Sequence, residues 1–179
     1  LHFLLDIIFP IKCFGCNQNG AYLCPNCYKT KLDFNPIQKC PVCNKSSPNG
    51  QTHTRCFSSY SIDGVFAITH KNLLLTSILK QLKYRHPHHL ISAFEPILAN
   101  TPSQFHDFNL IIPIPLHPKR LRQRGFNQAE LLAIIFSRIL NVPANPNLLV
   151  RARYTTPQAD IHDRPTRLQN LKNVFHLTE

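Results

Sequence analysis

The chain has 179 residues, of which 43% are hydrophobic and 16% are charged, so it can bury a core and is not a disordered tail. Its 20 Lys and Arg against 9 Asp and Glu leave a formal charge of +11, which favours anionic partners such as phosphates, nucleic acid or acidic lipid. No apolar run approaches the roughly 18 residues that a membrane helix needs, and the first residues do not read as a signal peptide. We therefore expect a cytoplasmic protein that is not an integral membrane protein.

The first 57 residues contain four pairs of metal-binding side chains, each pair with two residues between its members. A C-x-x-C turn presents two sulfurs to one ion at tetrahedral geometry, and two such turns complete a closed zinc site. Sequential pairing predicts one site of four cysteines and a second site of three cysteines and one histidine, whereas an alternating arrangement of the pairs remains open. The pairs are Cys13 with Cys16, Cys24 with Cys27, Cys40 with Cys43, and His53 with Cys56.

We expect two zinc ions with a structural role. Paired thiols in a reducing compartment indicate metal rather than disulfides, and the segment has too few patterned apolar residues to fold without one. Four complete pairs also leave no open coordination position for catalysis. The alternatives are buried or redox-active cysteines and, for His53, a chance position among the ten histidines of the chain.

Beyond Cys56, apolar segments alternate with helical patterns. Residues 57–64 are expected to form a linker, and Pro96 weakens the interior of the second of the predicted helices. An alternation of strands and helices indicates a parallel α/β sheet. In chain order the predicted elements are a strand at 65–70, helices at 71–85 and 88–100, a buried strand at 109–115 and a helix at 127–140.

A basic segment connects the strand predicted at 109–115 to the last helix. We predict that it is a loop, that Gly125 allows a sharp turn and that Asn127 caps the helix. Ligands of open α/β sheets bind at the carboxyl ends of strands, and helix N-termini offer N–H groups to phosphate. The segment is therefore predicted to bind phosphate or DNA, with a solvated basic loop as the alternative. Its cations are Lys119, Arg120, Arg122 and Arg124.

A second basic group follows in the sequence. Its arginines could line a groove for a nucleic-acid strand, but Asp160 and Asp163 lie among them, so local ion pairing is an equally good interpretation. The group comprises Arg151, Arg153, Arg164 and Arg167.

The segment IIPIPLHPKRLRQRGFNQAELLA at 111–133 resembles the ComF family of bacterial competence proteins. LKQLKYR at 79–85 and RARYTTPQADIHDRPTRLQNLKNVF at 151–175 extend the similarity. Proteins of this family resemble phosphoribosyltransferases and carry an N-terminal double zinc ribbon. The resemblance implies an α/β protein with a double zinc ribbon at 1–57 and a type I phosphoribosyltransferase-like, parallel-sheet domain at 58–179. It also implies uptake of single-stranded DNA in natural transformation and binding of phosphoribosyl pyrophosphate.

The resemblance also carries over individual positions. Tyr84, Gly125 and Phe126 match family motifs, as do the later residues Thr155, Gln158, Asn170 and Phe175. The residues that we predict to bind phosphate or DNA, from the resemblance and the basic segment together, are Lys80, Lys83, Lys119, Arg120, Arg122, Arg124, Asn127, Gln128 and Arg167.

Two departures from the family pattern matter. His53 stands where the family usually has cysteine, an exchange that zinc accepts. The family's phosphoribosyl pyrophosphate signature, an apolar strand followed by two acids and a Thr/Gly-rich loop, does not occur in the sequence, which ends in VFHLTE. We therefore expect the C-terminal part of the transferase-like domain to be missing. No catalytic residue is assigned, and phosphoribosyl pyrophosphate and Mg²⁺ are expected to bind only in a complete chain.

Three functions are compatible with these observations. The first is a ComF-type protein that binds single-stranded DNA during uptake. The second is a phosphoribosyltransferase of which this chain is a fragment and which is inactive as it stands. The third is a zinc-ribbon adaptor that docks a helicase-like or membrane DNA-uptake protein, which would place it at the inner face of the membrane.

Overall fold

A computed structural model describes residues 10–82, 91–101 and 108–178 as a mixed structure of helices and a small sheet. The helices are α1 (Pro25–Lys31), α2 (Leu73–Gln81), α3 (Glu95–Leu98), α4 (Pro118–Arg124), α5 (Gln128–Leu140) and α6 (Arg164–Leu171). The strands are β1 (Leu149–Arg151) and β2 (Phe175–Leu177). Short 3-10 turns lie at Pro48–Gly50, Thr54–Cys56, Ile91–Ala93 and Gln158–Asp160. Within these ranges no helix combines the length and apolar character required to cross a bilayer.

The chain divides into two compact units. The first comprises the described residues up to Lys80 together with those from Ala99 to Thr101, and the second comprises the other described residues. The separate assignment of 1–57 and 58–179 to two domains stays a prediction.

The first unit is held by short turns and has a small apolar interior. Isolated antiparallel bridges join Lys12 to Asn19 and Lys39 to Ser46, and each closes a turn that contains a C-x-x-C pair. Its buried apolar side chains include four aliphatic residues, and three cysteines are buried as well. These residues are Leu23, Leu32, Leu74, Ile78, Cys13, Cys27 and Cys40. Cysteines therefore form a large part of this interior.

The second unit is built around α5, which confirms the helix predicted at 127–140. Ala133, Ile135 and Leu140 are its buried side chains. The short helix α3 packs against it, and Arg138 of α5 forms an ion pair with Glu95 at 3.2 Å. The apolar face of α5 thus provides the packing surface of this unit.

The sheet among the described residues has two strands, β1 and β2, which pair antiparallel with Val150 opposite His176. Parallel pairing within the described ranges is limited to one bridge between Ile111 and Ala144. The prediction of a buried strand at 109–115 was wrong, since Ile112 and Ile114 are exposed. Pro113 and Pro115 have no N–H to donate, so this segment cannot continue a ladder.

The prediction of a strand at 65–70 was also wrong. The backbone there is satisfied by other groups: the side-chain amide of Gln38 bonds both N–H and C=O of Ala67, and the N–H of His70 donates to the carbonyl of Asp33 at 3.0 Å. These contacts replace the hydrogen bonds that a neighbouring strand would supply.

The helices predicted at 71–85 and 88–100 are only partly observed. The first is α2, Leu73–Gln81, and the end of its predicted range, with Lys83 and Tyr84, lies outside the described residues. Within the second range, the structure has the turn Ile91–Ala93 and the single helical turn α3. Pro96 is the second residue of α3, where a missing N–H costs nothing.

Candidate metal centres and basic surface

The first metal centre consists of Cys13, Cys16, Cys24 and Cys27, whose sulfur atoms all lie within 4.8 Å of one another. The sulfurs of Cys16 and Cys24 are 3.6 Å apart. Cys24 is the N-cap of α1 and accepts a hydrogen bond from the N–H of Cys27, so the helix start itself places the second pair. The pairs therefore combine sequentially, and the alternating arrangement is excluded.

The second centre consists of Cys40, Cys43, His53 and Cys56 with the same 4.8 Å limit. His53 Nδ1 lies 3.3 Å from Cys43 Sγ, and His53 Nε2 lies 3.1 Å from the carbonyl oxygen of Ser46. A carbonyl oxygen only accepts, so Nε2 carries the proton and Nδ1 keeps a lone pair directed toward the thiols. The prediction that His53 belongs to the second cluster is confirmed.

The two C-x-x-C turns that open the centres share one backbone pattern. Asn17 N donates to Cys13 O, and Asn44 N donates to Cys40 O. Both asparagines have positive φ, 64° and 60°, a conformation that asparagine tolerates better than most residues. In the first centre an added Cβ at Gly15 would lie 2.5 Å from Cys27 Sγ, so close packing of the turn requires glycine there.

Backbone hydrogen bonds and burial give the thiols different proton affinities. Burial raises the pKa of Cys13, but hydrogen bonds led by the N–H of Cys24 lower it, and the result is a pKa of about 6. Cys40 has a pKa of about 6 for corresponding reasons. Burial and neighbouring thiols raise the pKa of Cys27 to about 12 and that of Cys56 to about 11. Each centre therefore holds one thiol poised to ionise and one that keeps its proton in the metal-free state.

The donor sets and distances fit a tetrahedral metal ion. With Zn–S bonds of about 2.3 Å, tetrahedral geometry places sulfur atoms about 3.8 Å apart, close to the 3.6 Å between Cys16 and Cys24. Thiolate and imidazole ligands without carboxylate are the donors that zinc prefers. Each centre supplies four donors, which leaves no open position. Both clusters can therefore hold a metal ion, and their chemistry is consistent with zinc.

The basic segment that we predicted as a loop is the helix α4, so that prediction was wrong. Pro118 occupies its first turn, and the His117 side chain caps it by accepting from the N–H of Lys119. At the other end Gly125 has φ 80° and donates its N–H to Leu121 O at 2.7 Å, as predicted for a sharp turn. Four cations thus project from a seven-residue helix.

The cations of α4 bond to neutral groups. Arg120 Nη2 donates to the main-chain oxygen of Thr155 at 2.9 Å, and Arg124 Nη1 donates to Gln128 Oε1 at 3.2 Å. Lys119 and Arg122 are exposed. The ion pairs among the described residues are His70 with Asp33 and Arg138 with Glu95. No described carboxylate therefore forms an ion pair with the cations of α4.

The second basic group is dispersed in the structure. Arg151 donates to Thr155 Oγ1 at 2.6 Å, whereas Arg167 Nε donates to Ile161 O at 2.7 Å and so holds a turn. Asp163 caps α6 by accepting from Thr166 N at 2.8 Å. The alternative of local ion pairing is not observed within the described residues.

The other predicted site residues occupy different places. Asn127 is buried and caps α5, with Oδ1 accepting from Ala129 N and Nδ2 donating to Ile114 O, both at 3.1 Å. Gln128 opens α5, and Lys80 lies in the last turn of α2. Sequence reasoning missed the meeting of Arg120 and Arg151 at Thr155, because residues 31 to 35 positions apart give no spacing signal.

The chain is 28% identical to Competence protein F of Haemophilus influenzae over 186 residues, covering 94% of this chain and 77% of that protein. It is 32% identical to DNA utilization protein YhgH of Escherichia coli, covering 58% of this chain and 48% of YhgH. It is 26% identical to Competence protein ComFC of Bacillus subtilis, covering 68% of this chain and 49% of ComFC. The chain therefore spans about half the length of the last two relatives. No family model and no solved structure matches it.

Proposed function

Because the chain belongs to the ComF family of competence proteins, we propose that it binds single-stranded DNA during DNA uptake in natural transformation. The observation that carries the proposal is α4, which holds four cations in seven residues. None of them forms an ion pair among the described residues. A concentration of uncompensated cations costs free energy through mutual repulsion, and a polyanion that binds there offsets that cost.

The proposed contact surface is Lys119, Arg120, Arg122 and Arg124. Neutralising DNA phosphates with such side chains releases counterions and drives binding without sequence preference. Asn127 and Arg167 support this surface indirectly, since their side chains hold a helix start and a turn. Lys80, Lys83 and Gln128 complete the proposed set of phosphate-binding residues.

We further propose that both metal centres bind zinc and form a double zinc ribbon. The support is the donor chemistry and the small apolar interior of the first unit. When bound, zinc supplies four strong ligand bonds per centre, which stabilise the fold in place of a larger core. The residues of this chain hold and orient the ligands, and no catalytic step is assigned to them.

The second unit is proposed to be part of a phosphoribosyltransferase-like domain with a parallel sheet. The support is the ComF resemblance at 111–133 and the parallel bridge between Ile111 and Ala144. Phosphoribosyl pyrophosphate with Mg²⁺ is proposed as a ligand of the complete chain only, because no pair of acids followed by a Thr/Gly-rich loop occurs in this sequence. A transferase reaction would need those missing carboxylates and backbone amides. A complete chain that does not bind phosphoribosyl pyrophosphate in calorimetry would contradict this assignment.

A fluorescence anisotropy titration with a labelled oligothymidylate tests the DNA proposal. Replacing all four α4 cations with Gln is expected to weaken binding about tenfold or more, since those phosphate contacts are lost. The matched control replaces the exposed residues Lys29, Lys45, Lys71 and Lys172 with Gln, which removes the same net charge elsewhere. Equal affinity of the α4 variant and the unaltered chain would refute α4 as the contact surface.

A second candidate function is docking of a DNA-uptake partner, helicase-like or membrane-bound, at the inner face of the membrane. The observation that favours it is the exposed apolar group Phe57, Tyr60 and Ile62, of which Tyr60 is 99% exposed. A contiguous exposed apolar patch marks an interaction site, and these three residues lie within six positions of the chain. Replacing the three residues with Ser should abolish transformation in cells while leaving the affinity for single-stranded DNA unchanged. Normal transformation by that variant would rule the docking role out.

A further inference from the structure

Two arginine side chains from distant parts of the second unit meet at Thr155. Arg120 of α4 donates to the main-chain oxygen of Thr155 at 2.9 Å, and Arg151 of β1 donates to its hydroxyl at 2.6 Å. Thr155 itself is 8% exposed. Both guanidinium groups are therefore fixed against one buried residue and do not move freely in solvent.

Among the residues that the structure describes, neither arginine forms an ion pair with a carboxylate. Burial and the nearby charge of Arg120 lower the pKa of the Arg151 guanidinium, and Arg151 Nε is buried without a hydrogen-bond partner among the described residues. Two cations held together and partly desolvated cost free energy unless an anion compensates them. The planar fork of arginine is suited to phosphate oxygens. The two guanidinium groups of Arg120 and Arg151 thus have the chemistry of a phosphate-binding site.

An aromatic ring lies beside this pair. Tyr154 precedes Thr155, and its side chain is 48% exposed. Lys119 Nζ lies 4.9 Å and Arg120 Cζ 5.4 Å from the centre of its ring, and His117 contacts the ring edge-on with centroids 5.3 Å apart. An accessible ring surrounded by cations is the combination that proteins use to hold single strands, with the base on the ring and the phosphate on the cations.

We propose that Arg120, Arg151 and Tyr154 form a nucleotide-binding cluster that holds one unit of a single strand. A phosphate lies against the two guanidinium groups, and the adjacent base stacks on the Tyr154 ring. This inference rests on the proposed function and deepens it, because it locates one phosphate and adds recognition of a base. The outer cations of α4, Arg122 and Arg124, then contact the backbone alone.

Two strands of equal length and charge separate base stacking from phosphate binding. One is labelled oligothymidylate, and the other is the same backbone with an abasic residue at every position. Tyr154→Leu is expected to weaken binding of oligothymidylate about tenfold while leaving the abasic strand unchanged. Tyr154→Phe keeps the ring and should bind both strands like the unaltered chain. Arg151→Gln should weaken both strands by the same factor, because it removes a phosphate contact.

Circular dichroism establishes that each variant is folded, and Tyr154→Phe serves as the matched control. Equal loss for both strands in Tyr154→Leu would show that Tyr154 only orients Lys119 and Arg120, and would overturn the inference. Unchanged binding of both strands would overturn it as well. If the unaltered chain binds neither strand, the proposed function fails and the inference fails with it. The two failures are therefore distinguishable.

Discussion

His53 shows what one residue contributes to a metal centre. The spacing of His53 and Cys56 predicted a ligand pair, and the structure confirms that His53 joins Cys40 and Cys43 in a cluster. The nitrogen that faces the thiols could not be predicted, because it depends on the carbonyl of Ser46, which the fold brings to Nε2. Such outer contacts fix the ring orientation.

Replacing His53 with Ala is expected to remove one of the two zinc ions, since the second centre keeps only three donors. Replacing it with Cys should restore both ions, because zinc accepts sulfur in the same position. Native mass spectrometry of the purified variants gives the metal count. His70→Ala is the control, as His70 pairs with Asp33 outside both clusters. Two ions bound to His53→Ala would remove His53 from the ligand set.

At the scale of elements, a helix could be predicted where the sequence shows both a typical N-cap residue and regular apolar spacing. Helix α5 was predicted at 127–140 because Asn127 is a good cap and the apolar spacing is regular, and it is observed as Gln128–Leu140. Helix α4 was missed because it has no apolar periodicity and its cap, His117, is not a typical N-cap residue. Pro118 at its start and Gly125 at its end are residues that both helix ends and loops favour, so they do not distinguish the two.

The two strand predictions were wrong because a strand depends on contacts that the local sequence does not show. Residues 65–70 and 109–115 have β-type composition, but strand formation depends on partners elsewhere in the chain. Among the described residues, Gln38 and Asp33 form hydrogen bonds with the backbone of 65–70. The segment 109–115 makes a single bridge, from Ile111 to Ala144. The family resemblance, by contrast, was supported by motifs that a sequence displays directly.

Asn127→Ala is expected to destabilise the second unit by about 1–2 kcal/mol. The substitution removes the cap of α5 and leaves Ile114 O without its donor, and the site is 8% exposed. Asn127→Asp keeps the cap but loses the donor, so its loss should be smaller. Urea denaturation followed by circular dichroism measures both. Equal midpoints for all three proteins would contradict the role of Asn127.

At the scale of the whole molecule, metal binding and pH are coupled. In the metal-free state at neutral pH, Cys27 and Cys56 keep their protons, with pKa values of about 12 and 11. Zinc binds thiolates, so it must displace these protons. The metal-bound form holds fewer protons, and zinc affinity should therefore rise with pH. Below pH 6 affinity should fall more steeply, because Cys13 and Cys40, with pKa values of about 6, then also take up protons.

Calorimetric titration of the metal-free chain with zinc, repeated in buffers of different ionisation enthalpy, measures the protons released. We expect release of at least one proton at each centre at pH 7. Binding that releases no protons and does not depend on pH would show that the thiols do not ligate the ion. Chelation of zinc should lower the urea midpoint of the first unit, whose interior contains three buried cysteines, and circular dichroism measures that shift.

The salt dependence of binding to a single-stranded oligonucleotide tests the central claim most directly. If the four cations of α4 contact four phosphates, the logarithm of the binding constant should fall with the logarithm of salt concentration at a slope of about −3. The variant with all four cations replaced by Gln should show a slope that is shallower by about 3 than that of the unaltered chain. An unaltered chain whose affinity does not change with salt, or a variant with the same slope as the unaltered chain, would contradict DNA binding by α4.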